Sequence, residues 1–343
     1  MRLFEAENIP SLYTRILNAV LEDGIEVGPR GMRTKELGPV AITSGNPRKR
    51  LFGHPHRHEV PIFTYIEGLW ILLGLSQSDM LIHYVPGMKD FVNEETGRLD
   101  GAYGPAIRGV ALGREGNLLS VPDQFETCYQ RLKLDSDTRQ AVVIINDPHI
   151  HDIGNLPTKD YPCTLSFQFL LRSGKLNMIA TMRSQDLWKG FVYDTGEFQW
   201  FQEIMAGMLE VDLGTFTLQV GSLHLYDRDF FKAQEVVKED WNWSLYEHVS
   251  PLDARVDFKS FDYVLRDLMM IELHWRLNTP LSIPYLCSGL TRENSFYYCL
   301  GEVIKAYNMR LQGDKEEAKA AISSIGSDLA FIYRSRWEKG EGK

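Results

Sequence analysis

No run of about 18 apolar residues occurs in the 343-residue chain, so no transmembrane helix is expected. Cationic charge is in deficit. The chain carries 37 Lys and Arg against 46 Asp and Glu, a net charge of −9. This argues against general binding to nucleic acid or anionic membrane, so a bound phosphate must meet a local arginine cluster. Cysteine is scarce, with four residues: Cys128, Cys163, Cys287 and Cys299. They lie far apart with no Cys-x-x-Cys pair, so their spacing gives neither a disulfide framework nor a zinc site. Reduced thiols and a cytoplasmic location are the expectation. The segment HPHRH (54–58) aligns three histidines along an extended strand, but no second cluster offers a further ligand, and no metal is expected. Internal repeats, low-complexity tracts and obvious linkers are absent. The opening MRLFEAENIPSLYTRIL carries acids and lacks an unbroken apolar stretch, which reads as structure rather than a signal peptide.

Apolar residues make up 44% of the chain, enough for a substantial core. A helix is expected over 7–23, and loops with short strands over the Gly-, Pro-, Arg- and His-rich 28–58. The run from Phe63 to Leu75 is apolar apart from Glu67, and 123–133 suits a helix. AVVII (141–145) has a buried strand's composition. SFQFLL (166–171), KLNMIATMRS (175–184) and TFTLQVGSLHLY (215–226) alternate as half-buried strands do. Between the last two, EFQWFQEIMAGMLE (197–210) is apolar at helical spacing. Beyond 235 the pattern is mostly helical, with Phe258, Phe261, Leu265, Leu268 and Met269 on one face and Asp314 with Glu317 suiting a capping box. The expected class is a mixed α/β (α+β) fold, a mixed sheet flanked by helices. The expected division is a catalytic domain over 1–235 and a helical extension over 236–343, packed on the same domain. PRKRLFGHPHRH (47–58) is basic and reads as a solvated loop near a nucleotide mouth. Cys128, Cys287 and Cys299 sit among aromatics and leucines and read as core.

Cys163 lies in YPCTLSFQF, between a proline and an expected strand. That places its thiol at a strand start, where it becomes a nucleophile only if a cation stabilises the thiolate. Arg183, in MRSQD at the end of the neighbouring expected strand, could lower the thiol pKa and hold a phosphate.

These segments carry a resemblance. YPCTLSFQF resembles the thymidylate synthase active-site strand, and RSQDLWKGFVYD that family's Arg-Ser-x-Asp-x-x-x-Gly-x-x-x-Asn block. GSLHLY resembles its Gly-Asp-x-His-x-Tyr block. Upstream, IEGLWILLG is similar to the glutamate-bearing helix, GRLDGAYGPAIRG to the Tyr-Gly-x-x-x-Arg turn, DTRQAVV to the Ser-Arg-Arg loop, and GPRGMRT to the N-terminal arginine loop. The blocks follow in family order between residues 28 and 226, and the stretch beyond about 235 matches nothing.

The resemblance implies a thymidylate synthase-like fold and roles for single residues. Cys163 would add to carbon 6 of a pyrimidine, and Glu67 would organise water and move protons. Arg30, Arg183 and Ser184 would hold the 5′-phosphate, with Arg139 reaching in from the second subunit of a homodimer. His224 and Tyr226 would bind the ribose. Gln168 would stand near the base, and Asp186 with Tyr103 on the folate side.

Departures from the family pattern narrow the reading. Asp194 stands where the family has its base-reading asparagine. An amide matches uracil's ring N–H and carbonyl; a carboxyl matches cytosine's ring nitrogen and amino group when protonated. Asp at this position is what the superfamily's cytidylate hydroxymethylases have. Thr164 replaces the histidine after the nucleophile, Gln140 the second arginine of the trans loop, and the tryptophans before the Tyr-Gly turn are missing. Their absence would open the exocyclic methylene to water. The resemblance therefore implies the hydroxymethylase branch, closest to CMP 5-hydroxymethylases of nucleoside-antibiotic pathways. Such an enzyme uses 5,10-methylenetetrahydrofolate as co-substrate, with dCMP the runner-up substrate and Lys133 a candidate for reading the 2′-hydroxyl. A different class, a non-catalytic nucleotide- or RNA-binding protein on the same fold, is disfavoured by the joint presence of Cys163, Glu67 and Asp194.

Overall fold

A computed structural model describes residues 1–54, 57, 60–112, 118–120, 122–147, 160–239, 246, 249–279, 296–323 and 325–338. The chain forms two compact units, Met1–Trp243 and Ser244–Lys343.

The first unit is built on an eight-stranded mixed sheet. Strands β1 (Arg2–Ala6), β4 (Val40–Ser44), β10 (Asp212–Tyr226), β9 (Lys175–Asp186), β8 (Thr164–Arg172) and β7 (Val142–Ile144) run side by side, and β2 (Ile25–Val27) with β3 (Thr34–Leu37) joins through β10. β8 and β9 form a tight hairpin, Arg172 opposite Lys175, whose turn residues Ser173 and Gly174 have φ of 51° and 73°. Two positive-φ residues match the twist of antiparallel strands. β9 and β10 are parallel and need a crossover, which α6 (Phe191–Met208) supplies.

Expected and observed elements agree for the long strands and diverge at the N-terminus. Residues 2–6 form β1, and the helix expected over 7–23 starts only at Tyr13, because Pro10 opens a short 3-10 turn over Pro10–Leu12. Helix α1 spans Tyr13–Asp23 and α2 Phe63–Leu72. Helix α5, Gln124–Leu134, is capped by the Asp123 carboxylate, which accepts from the Glu126 N–H at 2.9 Å.

The central helix α6 is longer than its apolar stretch suggested and is buried nearly all round, because α2 packs on one side and β9 and β10 on the other. Phe198 meets Phe167 of β8 at 4.7 Å between ring centres, and Trp200 meets Tyr65 of α2 at 5.3 Å. Glu203, buried deep in α6, binds Arg48 and Arg50. This corrects the reading of 47–58 as a solvated loop. Arg50, His54 and Arg57 are all buried, and Arg57 lies 4.2 Å over the Trp188 ring while donating to the Trp188 carbonyl. A buried carboxylate demands cations, so these arginines turn inward. His56 and His58 lie outside the described residues.

In the second unit the helix Phe261–Leu277 buries Phe261, Val264, Leu265 and Leu268, close to the expected face. The helix Lys315–Ser323 begins just after Asp314. Cys128 and Cys299 are buried free thiols in their respective units, and Cys287 lies outside the described residues. Among the described residues no helix is long and apolar enough to cross a membrane.

Candidate active site

The strand registers bring the expected functional residues to one end of the sheet. β9 and β10 run parallel, pairing Ser222 with Ser184 and His224 with Asp186. β3 is antiparallel to β10, so Thr34 meets Tyr226, and the turn holding Arg30 precedes β3. β8 is antiparallel to β9, which sets Cys163, the residue before β8, beside Arg183, whose N–H donates to the Cys163 carbonyl at 2.9 Å. The register slips between Thr164 and Ser166. Such a bulge bends the strand and re-aims the side chain next to it.

Arg183 is built around Cys163. Its Nε donates to the Pro162 carbonyl at 2.9 Å, and Nη2 donates to the Tyr161 carbonyl at 2.9 Å and lies 3.6 Å from Sγ. Its Nη1 hydrogens have no acceptor among the described residues, and the side chain is exposed, as a phosphate clamp requires. Arg30 also bears on the sulfur electrostatically from a backbone with φ 54°. A non-glycine residue in that region is held at a cost of about 1 kcal/mol or more, a kind of strain that clusters at functional sites.

Burial nevertheless pushes the Cys163 thiol above its ordinary value. Arg183 and Arg30 pull it down, and the charges of Asp194 and Asp160 add to the rise. Burial thus favours the thiol over the thiolate in the free protein.

Asp194 lies in the first turn of α6 and not in a loop. Gln185 Nε2 donates to its Oδ2 at 2.7 Å, and Gly190 leaves it room: a β-carbon there would stand 2.9 Å from that oxygen. Burial, with a smaller contribution from the Asp186 charge, raises the Asp194 carboxyl to about 7 against the Gln185 bond, so at neutral pH both protonation states are populated.

Glu67 of α2 is raised well above the carboxylate range by burial and then by the charges of Asp194 and Asp160. Tyr103 feels Asp194 and Cys163. Cys163, Glu67, Asp194 and Tyr103 thus form one electrostatic group, each partly open. Perturbed titratable groups around a potential nucleophile mark a candidate catalytic site.

The thymidylate synthase profile matches residues 13–270, about three quarters of the chain. The chain belongs to the thymidylate synthase family. It is similar to the deoxyuridylate hydroxymethyltransferase of Bacillus phage SP01, 36% identical over 255 residues, which is 74% of this chain and 66% of the phage protein. The chain therefore spans just under two thirds of that relative's length. It is also similar to a putative thymidylate synthase of Methanothermobacter marburgensis, 24% identical over 239 residues, covering 68% of this chain and 96% of that protein. Cys163, Arg183 and the His224–Tyr226 pair lie at the ends of β8, β9 and β10.

His224 is 7% exposed, with Nδ1 3.4 Å from the Ser222 carbonyl and its ring 5.1 Å from Tyr226. Asp186 Oδ1 accepts from the N–H groups of Trp188 and Lys189 at 2.8 and 3.2 Å, capping the turn into α6. Its Oδ2 lies 3.9 Å from Arg228.

The structure does not bring every expected residue to this group. Gln168 sits further along β8 and donates to the Arg139 carbonyl at 3.1 Å. At about 3.3 Å per strand residue, that point is roughly 16 Å from Cys163. Lys133 is exposed in the last turn of α5, and among the described residues neither Lys133 nor Arg139 contacts the Cys163 group.

Three residues of the site escaped the sequence reading: Gln185, Asp160 and Glu197. Asp160 accepts from the Gly101 N–H at 2.7 Å, and burial raises it to about 6. Glu197 is fully buried in α6. Its signal was available, because it is an acid inside an apolar helix, the same sign that marked Glu67.

Proposed function

We propose that this protein is a pyrimidine-nucleotide 5-hydroxymethylase acting on cytidylate, with CMP the expected substrate and dCMP the runner-up. One observation carries the reading. Near enough to the Cys163 thiol to bear on it electrostatically stands a carboxyl, Asp194, which burial raises to about 7, where the family places an amide. Protonated, Asp194 donates to the cytosine ring nitrogen and accepts from the exocyclic amino group, while Gln185 fixes its orientation. Ionised, the same carboxyl sets two acceptors before the ring and repels the uracil carbonyl, a cost of about 1–3 kcal/mol for the unpaired group.

In this reading the phosphate rests on Arg183, Arg30 and Ser184, and the ribose on His224 and Tyr226. Cys163 Sγ adds to carbon 6 as its proton passes to solvent water, while protonated Asp194 donates to the ring nitrogen and steadies the charge that builds there. Asp186 and Tyr103 are the residues that the family resemblance sets on the side of the co-substrate 5,10-methylenetetrahydrofolate, and both are partly open. The folate supplies a one-carbon unit at the methylene oxidation level. Carbon 5 bonds to the methylene carbon, Glu67 assists removal of the carbon-5 proton with loss of tetrahydrofolate, water captures the exocyclic methylene, and expulsion of Cys163 releases the hydroxymethyl nucleotide.

The homodimer belongs to the same proposal. The face of β8, β9 and β10 carrying Gln168, Asn177, Ile179, Thr181, Thr217 and Gln219 is only half-buried, while α6 packs on the opposite face. A second copy covering it would let Arg139 of each chain serve the other chain's phosphate.

The printed substrate of the phage relative supports a second reading, a deoxyuridylate hydroxymethylase. Hydrogen exchange separates the two. Incubated in tritiated water without folate, the protein should exchange the carbon-5 hydrogen of CMP at least about tenfold faster than that of UMP or dUMP. Faster exchange into dUMP would favour the second reading.

A further inference from the structure

Residues directly opposite one another in a sheet, and residues two apart on one strand, set their side chains on the same face. By that rule Glu36, Ser222 and His224 share a face. Glu36 of β3 is the cross-strand partner of His224, and Ser222 stands two residues before His224 on β10. The side chains meet: Ser222 Oγ donates to Glu36 Oε2 at 2.5 Å, and both residues are half-buried. Glu36 Oε1 has no hydrogen-bond partner among the described residues. His224 turns Nδ1 toward the Ser222 carbonyl at 3.4 Å, which leaves Nε2 directed away from the strand.

An acid in this place has a cost. Ser184, assigned to the phosphate, is the partner of Ser222 on β9, and Arg30 lies in the turn just before β3. Like charges repel, so a carboxylate here weakens the binding of a nucleotide's phosphate unless it makes a bond in return. A ribonucleotide offers that bond. Its 2′- and 3′-hydroxyls are neighbours on one edge of the sugar, and a carboxylate oxygen is a strong acceptor for an O–H.

We propose that Glu36 reads the 2′-hydroxyl and so selects the ribonucleotide. The 3′-hydroxyl lies on His224 and Tyr226, the 2′-hydroxyl donates to Glu36 Oε1, and Ser222 holds the carboxylate in place through Oε2. Cross-strand partners stand about 5 Å apart at their β-carbons, so His224 and Glu36 can take adjacent hydroxyls of one sugar. The proposal rests on the reading of His224 and Tyr226 as the ribose site and deepens it, because it names the group that favours CMP over dCMP. Lys133, the residue that the sequence offered for this task, stands on α5, outside the ladder that carries His224. Ser222 is a positioning residue that acts through Glu36.

Competition between CMP and dCMP tests the assignment, read as turnover with 5,10-methylenetetrahydrofolate and as carbon-5 exchange without it. The wild type should favour CMP in kcat/KM by roughly 10- to 100-fold, the range one charge-assisted hydrogen bond supplies. Glu36→Ala should bring the ratio to within about threefold of one, with the loss on CMP rather than on dCMP. Ser222→Ala should lower the ratio part of the way, and the double variant no further than Glu36→Ala alone, because the serine works only through the carboxylate. The analogue 2′-deoxy-2′-fluoro-CMP keeps an acceptor at that carbon but has no O–H to donate. The wild type should use it no better than dCMP, and this result decides should the variants fail to fold. A wild type that uses dCMP or the fluoro analogue as well as CMP, or a ratio unmoved in Glu36→Ala, would overturn Glu36 as the reader of the sugar. If uridylates react in place of cytidylates, with UMP favoured over dUMP and that preference lost in Glu36→Ala, Glu36 stands and the cytidylate reading falls. No reaction or exchange with any of these nucleotides would overturn both.

Discussion

Asp194→Asn is expected to turn the base preference from cytosine to uracil, moving the CMP-to-UMP ratio of kcat/KM by about 10²-fold or more. The amide can accept from a uracil N–H and donate to its carbonyl, whereas toward cytosine's ring nitrogen it can donate a hydrogen bond but cannot release a proton as a carboxyl can. Losing a matched pair on one side and gaining one on the other is worth about 1–3 kcal/mol each way, and sites built on such bonds discriminate strongly. The measurement is competition of CMP against UMP for the variant and the wild type.

The same substitution has a signature that needs no substrate. The Asp194 carboxyl is raised from 3.8 to about 7, chiefly by burial. Between those pH values the unfolded chain has released this proton and the folded chain has not. Stability therefore falls as pH rises through the window and is level above it. At about 1.36 kcal/mol per unit, the loss is at most about 4 kcal/mol, and less to the extent that solvent reaches the group. The asparagine variant lacks this contribution, so its stability relative to wild type should climb between pH 4 and 7. Parallel denaturation curves across that range would mean that Asp194 is not an effectively buried acid.

Cys163→Ser should abolish turnover by at least about 10⁴-fold and remove carbon-5 exchange with it, because a serine hydroxyl in this recess is a far poorer nucleophile toward carbon 6. Nucleotide affinity should stay within about threefold, since Arg183 and Arg30 are untouched. The contrast separates chemistry from binding: an unchanged dissociation constant with lost exchange places the sulfur on the reaction path. Retained exchange would move the nucleophile elsewhere.

Much of this geometry was legible from residue order because it rests on strands. β8, β9 and β10 alternate cleanly, and residues at strand ends inherit their places from register, so Cys163 and Arg183 could be expected together; His224 was placed with them by the family resemblance. What alternation cannot show is depth. Arg50 and Arg57 read as solvent-facing by composition, yet a buried Glu203 draws in the first, and the Tyr13 and Trp188 rings the second. Asp194 lies inside a helix rather than in a loop because α6 begins right after Gly190. Gln185 meets Asp194 only because the turn after β9 leads straight into α6. Cys163 showed the opposite imbalance: the expected arginine is there at 3.6 Å, but burial outweighs it and leaves the thiol protonated at rest.

The central claim is that the Cys163 sulfur attacks an amino-pyrimidine ring whose identity is checked by Asp194. The most direct test offers the protein an equimolar mixture of CMP, dCMP, UMP and dUMP with 5,10-methylenetetrahydrofolate and reads the products by mass spectrometry. A cytidylate gaining the mass of one hydroxymethyl group, with the uridylates left unmodified, is the predicted result. Hydroxymethylated or methylated uridylate as the main product, with cytidylates unmodified, would contradict it.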